Sequence, residues 1–297
     1  MTPGYLLRQT LALLPQVEPV HYCPLIHGSD GLGDLDPPLP ASARRLDPRH
    51  AVTLIVDTLR ASEGRGEQLT LIALAPLTNV AMALRLEPEL CRRALGRVVW
   101  MGGAAFAGGN ASQWAEANAA YDPEAAHILL TSGVEVLMYT WDVYLEVDFS
   151  WRELLELGCA TQSEGDDAGA EEAEPEPPPD GVGVADGAPS WSAASTRLLL
   201  RDMRHWGAPA AQIGDAGAVA AVVRPDAVTT RRMHVAVEMR GAVTRGMTAV
   251  DPRAEVTEPD RPKAEPNVEV CVGVHAAAIK QVFAAAVLER GAEAARL

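Results

Sequence analysis

The chain has 297 residues, 48% of them hydrophobic, which is enough for one large α/β domain or two small ones. Forty acidic side chains against 25 basic ones give a formal charge of −15. A surface this acidic repels phosphate, which argues against a nucleic-acid backbone or an anionic membrane as partner.

Leu6 to Leu14 reads as a short helix and Pro19 to Leu25 as a short extended run. A glycine-rich stretch from His27 to Gly33 follows, then a proline-rich loop to about Pro48. Apolar residues at helical spacing predict a helix over Ala51 to Ala61. Leu69 to Leu74 is a continuous apolar run, the pattern of a strand buried on both faces of a parallel sheet. Leu77 to Leu90 is expected to be one amphipathic helix, Arg97 to Met101 the next strand, and Asp122-Pro123 the cap and first residue of another helix. Val134 to Thr140 completes a strand-helix-strand-helix-strand series ending at Trp141-Asp142. That alternation predicts an open, mostly parallel sheet with helices on both faces, its ligands bound beyond the strands' carboxyl ends.

Nine acidic residues lie between Glu164 and Asp186 with no Lys or Arg among them. Residues 161–190 are therefore expected to be a disordered acidic insertion within a single domain spanning 1–297. Trp191 to Trp206 and Ala216 to Val223 then read as helices, Val228 to Met239 and Asn267 to Val274 as strands, and Ala276 to Arg296 as a terminal helix. By default Asp215 caps the helix that begins at Ala216.

Cys23, Cys91, Cys159 and Cys271 form no C-x-x-C pair and are expected to be reduced, buried thiols. No apolar run of about 18 residues predicts a membrane span. The opening Met1-Thr2-Pro3-Gly4-Tyr5 has no basic segment leading into an apolar one, so a cytoplasmic protein is expected.

Three blocks carry a resemblance. The first is Ala75-Pro76-Leu77-Thr78-Asn79, followed by a helix ending near Leu86-Glu87-Pro88-Glu89. The second is Met101-Gly102-Gly103, then Asn110, Glu116-Ala117-Asn118 and Asp122-Pro123-Glu124-Ala125-Ala126. The third is Thr244-Arg245-Gly246-Met247-Thr248 with Asp251, followed by Pro266-Asn267-Val268. In this order and spacing they resemble the inosine-uridine preferring nucleoside hydrolases, over nearly the whole chain except the acidic stretch. His27 to Gly33 resembles that family's active-site loop.

The resemblance implies hydrolysis of a ribonucleoside's N-glycosidic bond. A calcium ion would grip two ribose hydroxyls and the attacking water, an aspartate would take the water's proton, and a histidine would assist the leaving base. It further implies that Asn110 and Glu116 hold the sugar's 5′-hydroxyl end, that Asn118 makes a second ribose contact, and that Met101 lies below the sugar. The calcium ligands it implies are Asp215 and the backbone carbonyl of Leu74. The family tends to form homodimers or homotetramers.

Several departures stand beside this. The family's D-x-D-x-G-x-D-D motif, which supplies most of the calcium carboxylates and the base, does not occur, and a ribose-contacting Asn near it is also absent. Met1 aligns with what looks like the family's second or third helix, so the first strand is expected to be lacking. Gly214-Asp215 stands where the family has His-Asp, and Ala117 where it has an aromatic residue. The segment from Pro24 to His27 looks shorter than usual. No intact catalytic set is expected, and Asp215 and His27 are the remaining catalytic candidates. Two readings follow: a nucleoside N-ribohydrolase by descent, impaired in this chain, or a non-catalytic nucleoside-binding or scaffold protein.

Overall fold

A computed structural model describes residues 27–31, 33–35, 47–156, 178, 190–253 and 264–294. The expected Leu6–Leu14 helix, the Pro19–Leu25 run and all but Pro178 and Ser190 of the acidic stretch lie outside the described residues. The chain divides into two compact units. The first gathers the described parts of Met1–Arg45, Asp148–Ile213 and Lys280–Leu297, and the second holds Leu46–Val147 and Gly214–Ile279.

The second unit begins with helix α1 (Ala51–Glu63), whose first turn is capped by His50 accepting from the Val52 amide at 3.2 Å. Strand β1 (Leu69–Ala73) follows. The single helix expected over Leu77 to Leu90 is in fact two, α2 (Thr78–Leu86) and α3 (Pro88–Ala94). Pro88 has no amide to continue the hydrogen-bond ladder, so the first helix stops and a second starts with Pro88 in its first turn. Then come β2 (Leu95–Met101), α4 (Ala117–Tyr121), α5 (Pro123–Leu130), β3 (Val136–Tyr139) and the one-turn helix α6 (Trp141–Tyr144). As the sequence predicts, the Asp122 side chain caps α5 by accepting from the Ala125 amide at 3.0 Å.

Parallel pairing runs β1 to β2 to β3 to β8 (Val268–Val274). Strand β6 (Val228–Val237) then pairs antiparallel with β8, and β7 (Thr248–Asp251) antiparallel with β6. The order β1-β2-β3-β8-β6-β7 makes a six-stranded, mostly parallel α/β sheet.

Side chains alternate across this sheet and divide its core in two. Val98, Trp100, Val136 and Met138 pack with residues of α1, α2, α3 and α5 on one face. Val99, Met101, Leu137 and Tyr139 pack with Val143 of α6 and with Ala218 and Ala221 of α9 (Gly214–Val223) on the other. Both faces being covered explains why Val98–Met101 of β2 and all of β3 are continuous apolar runs. Each Val, Leu or Met fully buried here contributes roughly 1.5–3 kcal/mol.

β1 departs from expectation. The run is apolar, but its residues are half-buried to exposed, because among the described residues it has a strand neighbour on one side only.

In the first unit, β4 (Asp148–Ser150) pairs antiparallel with β5 (Ala210–Gln212). Helices α7 (Trp151–Glu156) and α8 (Ser190–Trp206) belong to the same unit. Helix α10 (Ala276–Ala294) closes the described chain, and within the first unit Lys280 Nζ lies 2.7 Å from Glu153 Oε1. None of the described helices is long and apolar enough to cross a membrane.

Candidate functional site

The parallel strands β1, β2, β3 and β8 present their carboxyl ends on the same side of the sheet, where ligands of such folds bind. The loop leaving β2 is held there from several directions. The Gly102 amide donates to the Tyr139 carbonyl at 3.1 Å and the Trp141 amide to the Gly103 carbonyl at 2.8 Å. Gly103 has φ +68°, and a Cβ on it would lie 2.8 Å from Thr248 Cγ2, so the position needs glycine twice over. Thr248 Oγ accepts from the Ala104 amide at 2.9 Å and donates to the Ala104 carbonyl at 2.6 Å. Asp142 takes three successive amides: Ala105 at 2.7 Å, Phe106 at 2.7 Å and Ala107 at 2.9 Å. The sequence places Trp141-Asp142 at the end of a strand. Both instead open α6, and Asp142 anchors the neighbouring loop.

Glu116 is 2% exposed rather than solvated in a loop. Its carboxylate caps α4 by accepting from Asn118 N (2.9 Å) and Ala119 N (3.2 Å), and it also accepts from Gly103 N (2.8 Å). Burial pushes its carboxyl above the ordinary value, the three amides pull the other way, and the Asp215 charge adds to the rise. Asn118 Nδ2 donates to the Met101 carbonyl at 3.0 Å and lies 3.5 Å from Met101 Sδ. Asn110 is exposed, and its Oδ1 accepts from the Ala117 amide at 2.8 Å.

The structure thus joins Met101, Glu116, Asn118 and Asn110 through short hydrogen-bonded links around the start of α4, with Asp215 near enough to Glu116 to be felt as charge. Met101 itself is a core side chain of the second face. Asp215 stands inside its helix rather than ahead of it. It is an exposed residue in the first turn of α9, because the helix begins one residue earlier, at Gly214. Leu74 directly follows β1 and packs its side chain against the second core.

His27 belongs to the first unit. There its carbonyl accepts from the Gly33 amide at 2.8 Å, closing the glycine-rich loop. Asp34, which no motif in the sequence singles out, fastens that loop by accepting from Ser29 N at 2.7 Å and Ser29 Oγ at 2.6 Å. These bonds, the Ser29 hydroxyl first, hold its carboxyl below the usual carboxylate range.

Cys91 and Cys271 are free and buried, and burial pushes the Cys271 thiol up to about 12. Both are inert apolar fillers at neutral pH. Tyr139 is fully buried, its hydroxyl has no hydrogen-bond partner among the described residues, and burial raises its pKa. A Cβ on Gly217 of α9 would lie 2.5 Å from that hydroxyl.

Calcium, the cofactor implied by the resemblance, takes about six to eight oxygens. Among the described residues no group of three His, Cys, Asp or Glu side chains gathers to hold an ion. Glu116, Asp122 and Asp142 are already committed to backbone amides. Asp215 and the Leu74 carbonyl alone fall short of such a shell, so the described donor set does not fit calcium.

The mostly parallel α/β sheet, the glycine-bearing loop after β2 and the joined Asn110, Glu116 and Asn118 agree with what the resemblance to the nucleoside hydrolases implies about fold. The family model of the inosine-uridine preferring nucleoside hydrolases matches residues 9–281, and the chain belongs to that family. It is 34% identical over 240 residues to the inosine-uridine preferring nucleoside hydrolase of Leishmania major, covering 80% of this chain and 66% of that one. To a probable uridine nucleosidase of Oryza sativa subsp. japonica it is 39% identical over 137 residues, covering 46% and 39%. The chain therefore spans two thirds or less of the length of these curated relatives. Among solved structures it is similar to an inosine-guanosine nucleoside hydrolase, with a TM-score of 0.71 and 27% identity over 89% of this chain and 75% of that one.

Proposed function

We propose that this chain, a single nucleoside hydrolase-like domain, holds a ribonucleoside by its ribose and, acting alone, does not cleave it at a measurable rate. Asn110, Glu116 and Asn118 are the sugar-holding groups in this reading, with Met101 beneath them. The observation that carries it is the commitment of the carboxylates at the strand ends. Glu116, Asp122 and Asp142 all accept from backbone amides, and in this reading those bonds keep them in structural roles rather than as the base.

Hydrolysis needs a base, and losing one slows such reactions roughly a hundred- to ten-thousand-fold. A Lewis acid that grips the ribose would supply several kcal/mol more, and the described donors do not assemble a shell for one. Gly214 offers no side chain to protonate a leaving base. What remains positions a substrate without driving the chemistry.

The test is release of free base from inosine and uridine by the purified chain in millimolar calcium, beside calorimetric titration of the same nucleosides. Saturable binding with no base release above background is expected. Steady turnover that disappears in Asp215→Ala would overturn the catalytic half of the proposal, and absence of binding the other half.

A further inference from the structure

We propose that Trp141 and Tyr144 form the wall of the site that faces the nucleobase, with the Tyr144 ring occupying the space a side chain at position 214 would need. The inference rests on the ribonucleoside reading above and deepens it, because it says which residues recognise the base rather than the sugar.

Position comes first. Trp141 opens α6 directly after β3, and its amide donates to Gly103, whose own amide donates to Glu116. Two hydrogen bonds therefore tie the start of α6 to the helix cap beside Asn118. The spacing of three residues in a one-turn helix puts Trp141 and Tyr144 on one side of it. Their rings stack with centroids 4.3 Å apart and planes at 29°. Both are half-buried: they pack against the second core and keep the rest of their surface exposed.

Gly214 supplies the second observation. A Cβ built on it would fall on the Tyr144 ring, so this ring and a side chain at 214 exclude one another. The aromatic pair thus reaches from the end of β3 to the first turn of α9, next to Asp215. Asn110, Glu116 and Asn118 offer oxygen and amide groups suited to hydroxyls. The Trp141–Tyr144 surface offers none of that along its faces and is suited to a flat, uncharged heteroaromatic ring. A ribonucleoside has both parts.

The test compares calorimetric titrations of inosine, uridine and free ribose into the wild-type chain and into Tyr144→Phe, Tyr144→Leu and Tyr144→Ala, with circular dichroism as the check on folding. Tyr144→Leu keeps most of the volume without the aromatic face, and so covers the case in which Tyr144→Ala fails to fold. The expected result is a roughly three- to tenfold loss of nucleoside affinity in Tyr144→Leu and Tyr144→Ala, unchanged ribose affinity, and wild-type behaviour in Tyr144→Phe. Nucleoside affinity that is unchanged in the leucine variant would overturn the inference while leaving the ribonucleoside reading intact. Parallel loss of ribose affinity would mark Tyr144 as merely structural and overturn it as well. Failure of the wild-type chain to bind any of the three would overturn both.

Discussion

Strands β1 and β3 are written in nearly the same language, LTLIA and VLMY, yet they have different fates. All four residues of β3 are buried, between β2 and β8 and under helices on both faces. The residues of β1 are half-buried or exposed, and an apolar groove of about 240 Å³ runs beside it, lined by Leu54, Ile55, Thr58 and Leu59 of α1 together with Leu69, Thr70, Leu71 and Leu95. An apolar run establishes that a strand wants burial. How much it receives depends on its neighbours, and in the described residues β1 has a strand on one side only.

The largest effect expected from this contrast is in paired truncations. Met138→Ala removes a side chain that is 0% exposed and leaves a cavity walled by a rigid core, so a loss of about 2–5 kcal/mol is expected. Leu71→Ala, on the half-buried strand, should cost about 1–2 kcal/mol, because less of its surface leaves water. Urea denaturation of the two variants measures the difference. Equal losses would mean that β1 is as well covered as β3, and the contrast between them would fail.

A second effect contrasts the hydrogen-bonded strand ends with β1, which among the described residues has a strand on one side only. Glu116→Ala strips the acceptor from three backbone amides in a buried place; hydrogen bonds to a charged group are each worth about 1.5–3 kcal/mol, but removing a carboxyl that burial penalises offsets much of their loss, so a net loss of about 2–3 kcal/mol is expected. The loss should carry a pH signature. Burial, the main cause, holds the folded-state carboxyl above its ordinary value of 4.5. The folded protein then binds that proton more tightly than the unfolded chain does. The stabilising contribution is complete below the unfolded value and is lost as pH rises through the raised folded one. The stability advantage of wild type over Glu116→Gln should therefore shrink as pH climbs from about 4.5 towards neutrality. An advantage that grows over that range would show that the amides outweigh burial.

Much of this arrangement is legible in the sequence, and the misses have physical reasons. Strand β3 and Val98–Met101 of β2 are readable because a strand covered on both faces has no polar period to hide it. The start of α5 is readable because Asp122-Pro123 is a local signal, carried by the backbone of four residues. The break at Glu87 is less so, since α2 and α3 together keep a helical apolar pattern across it. Strand β7 is four residues long and exists by pairing with β6, so no local pattern announces it. Asp142 reads as a strand-end carboxylate, but its three acceptor bonds go to residues more than thirty positions away. The exclusion between Gly214 and Tyr144 spans about seventy residues and exists only in the folded chain. The resemblance picks out Asn110, Glu116 and Asn118 together, but only the fold reveals that Glu116 is buried and doubles as a helix cap.

The smallest expected effect is the one that best probes the edge. Thr70 is the exposed residue of β1, and Lys at such a position is a common device by which sheet edges resist pairing with another chain. In the described structure Thr70 reaches β2 through its backbone pairing with Arg97, which a change of side chain leaves in place. Thr70→Lys should therefore alter unfolding free energy by no more than about 0.5 kcal/mol. It should also lower self-association, read as apparent mass by light scattering over a range of concentrations. Hydrogen exchange gives the matching baseline: β1 amides should exchange faster than those of Val98 to Met101, which have a strand on either side. If Thr70→Lys instead costs well over 1 kcal/mol, or if β1 amides are protected as strongly as those of β2, then another strand lies along β1. The two regions would then differ in their immediate partners and not in their degree of cover.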